Sequence, residues 1–337
     1  MRNTLKADLL FFIMVLIHLG AVTFFTVLSI RKISVEYSTN QSLLLSQLLI
    51  LIPVGIYLLI TKTNPFKLIR FKKIDVATIF MVILLTFLIM PLITFINSVS
   101  MLFSNNNVLT LTNELTGNSF LLNLLLMAVI PAISEEFVFR GILFHTYRKS
   151  SVLYGVVISG IVFGLMHLNF NQFSYAFVLG IVFALLIEAT GSIYATMIAH
   201  FFINGNSVVI MALSNKVWGG LEQSSQQLQS QLTPKYLIMI AGVYGIIAVG
   251  TTALAIGVYI WIGKHCKREN HLRAVFMIRK GEDKFILRKA ISIPLIVSIV
   301  LCLSYMVLSE VVQANYNENV EIEQDVEDIE NTLSIEL

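Results

Sequence analysis

The chain has 337 residues, of which 56% are hydrophobic and only 13% charged, with a mean hydropathy of +0.81. Soluble domains carry about 25% charged residues, so the composition excludes an ordinary soluble enzyme, a disordered chain and a nucleic-acid binder. A bilayer span takes ~20 apolar residues, and nine spans would use ~180, a little over half of the chain. The apolar runs are continuous rather than alternating, which argues against a β-barrel. The expected fold is all-α: a polytopic transmembrane helical bundle of about nine spans, with eight as the alternative.

The first run, at 9–30, follows Met1–Asp8. It is long, and no small-residue cleavage site follows it, so it reads as a retained span rather than a signal peptide. Further spans are expected at 43–61, 77–103, 119–147, 152–168, 173–190, 192–213, 235–263 and 290–312. The loops at 62–76 and 264–289 are rich in Lys and Arg, and Arg148 and Lys149 follow the fourth span. The loops at 104–118, 169–172 and 214–234 are poor in both. With nine spans and a cytoplasmic N-terminus, every strongly basic loop lies in the cytoplasm and the C-terminus lies outside. Arg31 and Lys32 are the one mismatch.

The net charge of +3 conceals an asymmetry, because eight of the acidic residues lie from Glu318 onward with no Lys or Arg among them. The rest of the chain has 23 basic against 12 acidic residues. The segment 313–337 therefore reads as an acidic, disordered, solvated tail. The other expected divisions are N-terminal helices at 1–118, a central core at 119–213 and C-terminal helices at 214–312. Cys266 and Cys302 are too far apart in context to imply a disulfide framework. The chain is thus expected to be a multi-pass cell-membrane protein whose environment is the lipid bilayer, with no nucleic-acid partner; the sequence assigns no oligomeric state.

The informative residues are the polar ones inside apolar runs. The fourth span holds Ser134, Glu135, Glu136 and Arg140, the fifth Gly164 and His167, and the seventh His200 and Asn204. Ionisable groups at bilayer depth cost at least a few kcal/mol each, face a bundle interior and mark function. With a rise of 1.5 Å per residue, Glu135 lies ~18 Å from the cytoplasmic end of its span, His167 ~22 Å, His200 ~12 Å and Asn204 ~18 Å. Three separate helices therefore bring polar groups towards the middle of the hydrocarbon. Glu136 and Arg140 are four residues apart, share a face and can pair. Glu135 points about 100° away from Glu136 and is free for another partner. Pro131, four residues before Glu135, favours a kink there. Gly160 and Gly164 permit close helix approach beside His167.

In this order, Glu-Glu-x-x-x-Arg, Phe-x-x-x-His and His-x-x-x-Asn on successive membrane helices resemble the CPBP family. This is the CAAX-protease and bacteriocin-processing group, also called Abi, which includes the type II CAAX prenyl endopeptidases. The resemblance runs from about Phe120 to Leu213. It implies an intramembrane endopeptidase acting on a peptide or membrane-protein substrate. Carried over by motif position, Glu135 would be the base that activates a water and His167 would help hold that water. His200 and Asn204 would stabilise the oxyanion, with Glu136 and Arg140 supporting the site. The residue types agree with this chemistry: amide hydrolysis needs a base for water and a proton for the leaving amine, and one carboxylate serves for both.

Metal dependence stays open at this point. Glu135, His167 and His200 are also a plausible zinc set, and members of the family are described both as metalloproteases and as glutamate-dependent enzymes. The sequence has neither His-Glu-x-x-His nor Gly-x-Ser-x-Gly. The alternatives to a protease are a non-catalytic immunity or scaffold protein of the same fold, and a transporter, which more often shows repeated halves. His18 and His145 read as lone packing histidines. Glu188, near the end of the sixth span, reads as solvated.

Overall fold

The computed structural model describes residues 2–33, 38–104, 106, 114–115, 117–217, 233–276 and 292–336, and among them there is no strand. Most of the 104–118 and 214–234 loops, and residues 277–289 of the last basic loop, lie outside the described residues. The main helices are α1 (Arg2–Ile30), α2 (Thr39–Thr61), α3 (Val76–Ser100), α4 (Phe120–Tyr147), α5 (Val152–Leu165), α6 (Phe170–Thr190), α7 (Ile193–Val217), α8 (Pro234–His265), α9 (Glu269–Phe276) and α10 (Ile293–Glu336).

Eight of these helices are long and apolar enough to cross a membrane. They correspond to eight of the nine expected spans, and the molecule is an all-α polytopic bundle. The exception is the fifth. α5 has 14 residues, about 21 Å of helix against a hydrocarbon layer of about 30 Å. It stops at a turn over Met166 to Leu168, where Leu168 takes φ of +50°, and Asn169 then caps α6 by accepting from Gln172 N at 2.9 Å. Because α5 and α6 form a hairpin, the start of α5 and the end of α6 lie on one side of the bundle, where Arg148 meets Glu188. The hairpin is tight: a Cβ on Gly160 would stand 2.8 Å from Phe177 O, and one on Gly180 would stand 2.6 Å from Gly160 Cα.

The central position of the hairpin and α4 follows from burial. In the most apolar window of α6 56% of residues are buried, against 17% for α8, so α6 is interior while α8 turns Ile246 and Val249 outward. The acidic segment, read as a disordered tail, instead continues α10 as far as Glu336. Glu is a good helix former, and the stretch contains no Pro or Gly to stop it.

The basic end of the bundle is clasped around Glu188, which corrects its reading as solvated. Its side chain is 1% exposed and pairs with Arg148 at 2.6 Å and Arg268 at 3.7 Å. Arg268 also donates from Nε to the Glu188 carbonyl at 2.7 Å. Beside this clasp, Ile193 N donates to Arg70 O at 3.1 Å, and Ser192 Oγ donates to Lys72 O. The described parts of the three basic segments are thereby gathered at one end, and the site described next lies deeper, towards the other.

Candidate active site

α4 is the helix that carries the carboxylates, and it is not a regular α-helix. It contains π-helical turns at Leu125–Val129 and Glu136–Phe144, with α-helical turns at Ile130–Glu135 between them. Such bulges widen a helix locally and re-aim side chains. Pro131 contributes to the irregularity, because it lacks the N–H that an α-helical turn would offer to Met127 O. Asn204 on α7 takes up that carbonyl, donating from Nδ2 at 3.0 Å.

The two adjacent carboxylates have different surroundings. Glu136 and Arg140 are both fully buried and pair at 2.9 Å. The Arg140 guanidinium lies 4.0 Å from the centre of the Phe163 ring and 4.9 Å from that of Phe183, so its charge is met by a carboxylate and two aromatic faces. Glu135 is the more open of the two, with 16% of its side chain accessible. Its Oε1 accepts from Gln47 Nε2 at 3.1 Å. Gln47 in turn accepts at Oε1 from Ser134 Oγ.

His200 bridges the pair. Its Nδ1 is 3.0 Å from Glu136 Oε1 and its Nε2 is 3.9 Å from Glu135 Oε2. A carboxylate only accepts, so Nδ1 carries the proton and Nε2 faces Glu135. The same reasoning applies to His167, whose Nδ1 donates to Phe163 O at 2.9 Å and leaves Nε2 for the interior. The Phe163 ring, 5.2 Å from the His167 ring and 6.0 Å from that of His200, packs against both imidazoles.

Glu135, His167, His200 and Asn204 all line one cavity of about 410 Å³, together with Gln47, Thr94, Asn97 and Gln172. The structure therefore brings together the four residues that the motifs single out as catalytic. Glu136 and Arg140 sit behind the cavity wall. A larger apolar cleft of about 690 Å³, between α3, α6, α8 and α9, holds none of these residues. His18 and His145 each bond through Nδ1 to a backbone carbonyl, of Met14 and Arg140 respectively, while His145 Nε2 is buried without a partner among the described residues.

Gln47 escapes the sequence reading. It lies on α2, 88 residues from Glu135. The signal was present: Gln47 follows Ser46 within an otherwise apolar run, and the rule that polar residues inside such runs carry meaning applies to amides as well as to charges.

For a metal, the donor types suit zinc, and a histidine held by a carboxylate on its other nitrogen is a common metal-binding device. The placement does not fit: among the described residues no three His, Cys, Asp or Glu side chains are grouped so as to hold an ion.

The bundle and the cavity define a class, a polytopic helical membrane protein with a carboxylate–histidine site built into its interior. Residues 116–206 match the family model described as Type II CAAX prenyl endopeptidase Rce1-like. Over 109 residues the chain is 33% identical to "Putative membrane peptidase YdiL" of Bacillus subtilis (strain 168), covering 32% of this chain and 44% of that protein. No solved structure matches. Both matches are likenesses of the central segment that carries the motifs, and the shared region spans less than half the length of the curated relative.

Proposed function

We propose that the chain is an intramembrane endopeptidase that splits a peptide bond with a water activated by Glu135. The observation that carries this reading is the division of labour between two neighbouring carboxylates. Glu136 is sealed by Arg140 and His200, while Glu135 faces a cavity shared with two imidazole Nε2 atoms. A water donating one hydrogen to Glu135 Oε2 and resting on His167 or His200 has its lone pairs turned to a third side, where a substrate carbonyl is presented. Glu135 takes the proton, the hydroxide adds to the carbonyl carbon, and the C–N bond breaks as the same proton passes to the leaving nitrogen.

The developing oxyanion needs donors in a dry site. Asn204 has a second amide hydrogen beyond the one given to Met127. His200 donates through Nε2 once it carries a second proton, with Glu136 against Nδ1 as counter-charge. Glu136 and Arg140 hold His200 in place. In this reading the catalytic unit is not confined to 119–213, because Gln47 comes from the N-terminal helices. The reaction is read as glutamate-dependent, and no step is routed through a metal.

The test is cleavage of a peptide library by purified protein in nanodiscs, read by mass spectrometry, with Glu135→Gln as the blank. Defined products that are absent from the blank support the proposal. No product from any peptide, together with a cellular phenotype that survives Glu135→Gln, would leave the non-catalytic scaffold reading.

A further inference from the structure

The cavity has a direction, and four helices agree on it. On α2 its lining residues Leu43 and Gln47 lie near the helix start, whereas Lys62 follows the helix end. On α3 the lining residues Thr94 and Asn97 lie near the end, whereas Lys72 and Lys73 precede the start. On α6 Gln172 and Tyr175 lie in the first turns, while Glu188, in the last, pairs with Arg148 and Arg268. On α7 the lining runs from His200 to Ser207, about 10 Å further along the helix, and Ser207 is exposed. No lining residue comes from 193–199 or from 136–147, the parts of α7 and α4 nearer the basic clasp. The cavity therefore opens at the end of the bundle opposite the basic segments.

Charge identifies that end. Among the described residues, thirteen Lys and Arg lie at or beyond the basic end, Arg140 is internal, and Arg31, Lys32, Lys216 and Lys235 fall at the other. Such a bias sets the basic end in the cytoplasm. Among the described residues, the lining has a second property: it contains no Lys or Arg, and its one carboxylate is Glu135. A free C-terminal carboxylate would meet no cation there, and it would be placed near a like charge. The uncharged polar groups Gln47, Asn97, Gln172, Asn204 and Ser207 instead suit the neutral amides of a chain passing through.

We infer that the site opens to the extracytoplasmic face and takes an internal segment of a polypeptide presented from that side, without recognition of a free C-terminus. This rests on the protease reading for its substrate, and on geometry and charge alone for its sidedness.

The two parts are tested separately. In a background lacking Cys266 and Cys302, Asn97→Cys, Ser207→Cys and Lys67→Cys are exposed on intact cells to a membrane-impermeant maleimide. Labelling of the first two in intact cells, and of Lys67→Cys only after permeabilisation, is expected; the reverse pattern overturns the sidedness. With any peptide found to be cleaved, the same sequence is offered with a free C-terminus, an amidated C-terminus and a C-terminal extension. The expected result is a kcat/KM within about threefold across the set. A loss of about tenfold or more on amidation, the scale of a charge-assisted hydrogen bond, would show carboxylate recognition and overturn the internal-segment inference. Failure to cleave any peptide overturns the protease reading and the substrate inference with it, while the labelling result still decides the face.

Discussion

Gln47 on α2 holds Glu135 on α4 by a hydrogen bond of 3.1 Å, from a helix outside the segment that matches the protease family. Because the other end of the same amide is engaged by Ser134, the Gln47 side chain is fixed at both ends. One carboxylate oxygen of Glu135 is thereby occupied and the other turned towards His200. Gln47→Leu should lower kcat by about tenfold to a hundredfold, the worth of one hydrogen bond to a charged group, with KM and folded yield close to the parent. Gln47→Glu should be worse, since it sets a second carboxylate against the first. Steady-state kinetics on purified variants check this. A Gln47→Leu enzyme with normal kcat would mean that the amide contact plays no part in positioning Glu135.

The long helices were legible because continuous apolar runs leave few other options in a bilayer, and the polar motifs stood out against them. What was not legible depended on distant partners or on backbone detail. The end of α5 falls within an apolar stretch at a turn closed by Leu168 in a left-handed conformation, with no Gly or Pro to announce it. Glu188 looked solvated because its partners Arg148 and Arg268 are 40 and 80 residues away in the chain. Gln47 was passed over because an uncharged amide in a span gives a weaker signal than a carboxylate. The π-helical turns of α4 lie against α2 and α7, and no local spacing in the sequence records them.

Removing the base separates the proposed chemistry from mere architecture. Glu135→Gln keeps shape and loses basicity, so turnover should fall by about 10²–10⁴-fold while the protein stays folded. His167→Ala should be comparably severe. His200→Ala should retain more activity, since loss of one oxyanion donor costs about 10²–10³ in rate. A chelator should leave the parent rate unchanged. Stoichiometric zinc in the purified protein, with loss of activity in chelator and recovery on adding zinc back, would instead identify a metalloprotease in which His200 is as critical as His167.

The Glu136–Arg140 pair should reveal itself in stability before catalysis. Both side chains are fully buried at 2.9 Å. Arg140→Met leaves Glu136 as a buried charge without its cationic partner, a loss of about 3–5 kcal/mol in comparable cases. Folded yield and thermal stability in detergent should fall together. Glu136→Gln combined with Arg140→Met removes both charges and should restore much of the folded yield. Turnover should stay depressed, because His200 has lost its counter-charge. If the double variant were no more stable than Arg140→Met alone, the unpaired carboxylate would not be the cause of the damage.

Asn204 is assigned two tasks, and a coupling experiment distinguishes them. Its Nδ2 donates to Met127 O at 3.0 Å, the carbonyl to which Pro131 offers no N–H. Asn204→Ala leaves that carbonyl unpaired in the membrane interior, at a cost of about 1–3 kcal/mol. Pro131→Ala returns an N–H four residues from Met127, so Asn204→Ala should cost less in that background, with a coupling of about 0.5–3 kcal/mol. Asn204→Asp should be harder on stability than Ala, since it sets an acceptor against an acceptor. Thermal unfolding of the two single variants and the double variant measures the coupling, and kcat on the same proteins measures the catalytic share. In the Pro131→Ala background, Asn204→Ala should still lower kcat, because the second amide hydrogen is lost from the cavity whatever happens to the helix. Full recovery of kcat there would make Asn204 purely a helix-holding residue and remove it from the oxyanion site, whereas additive stabilities would show that Pro131 and Asn204 act independently.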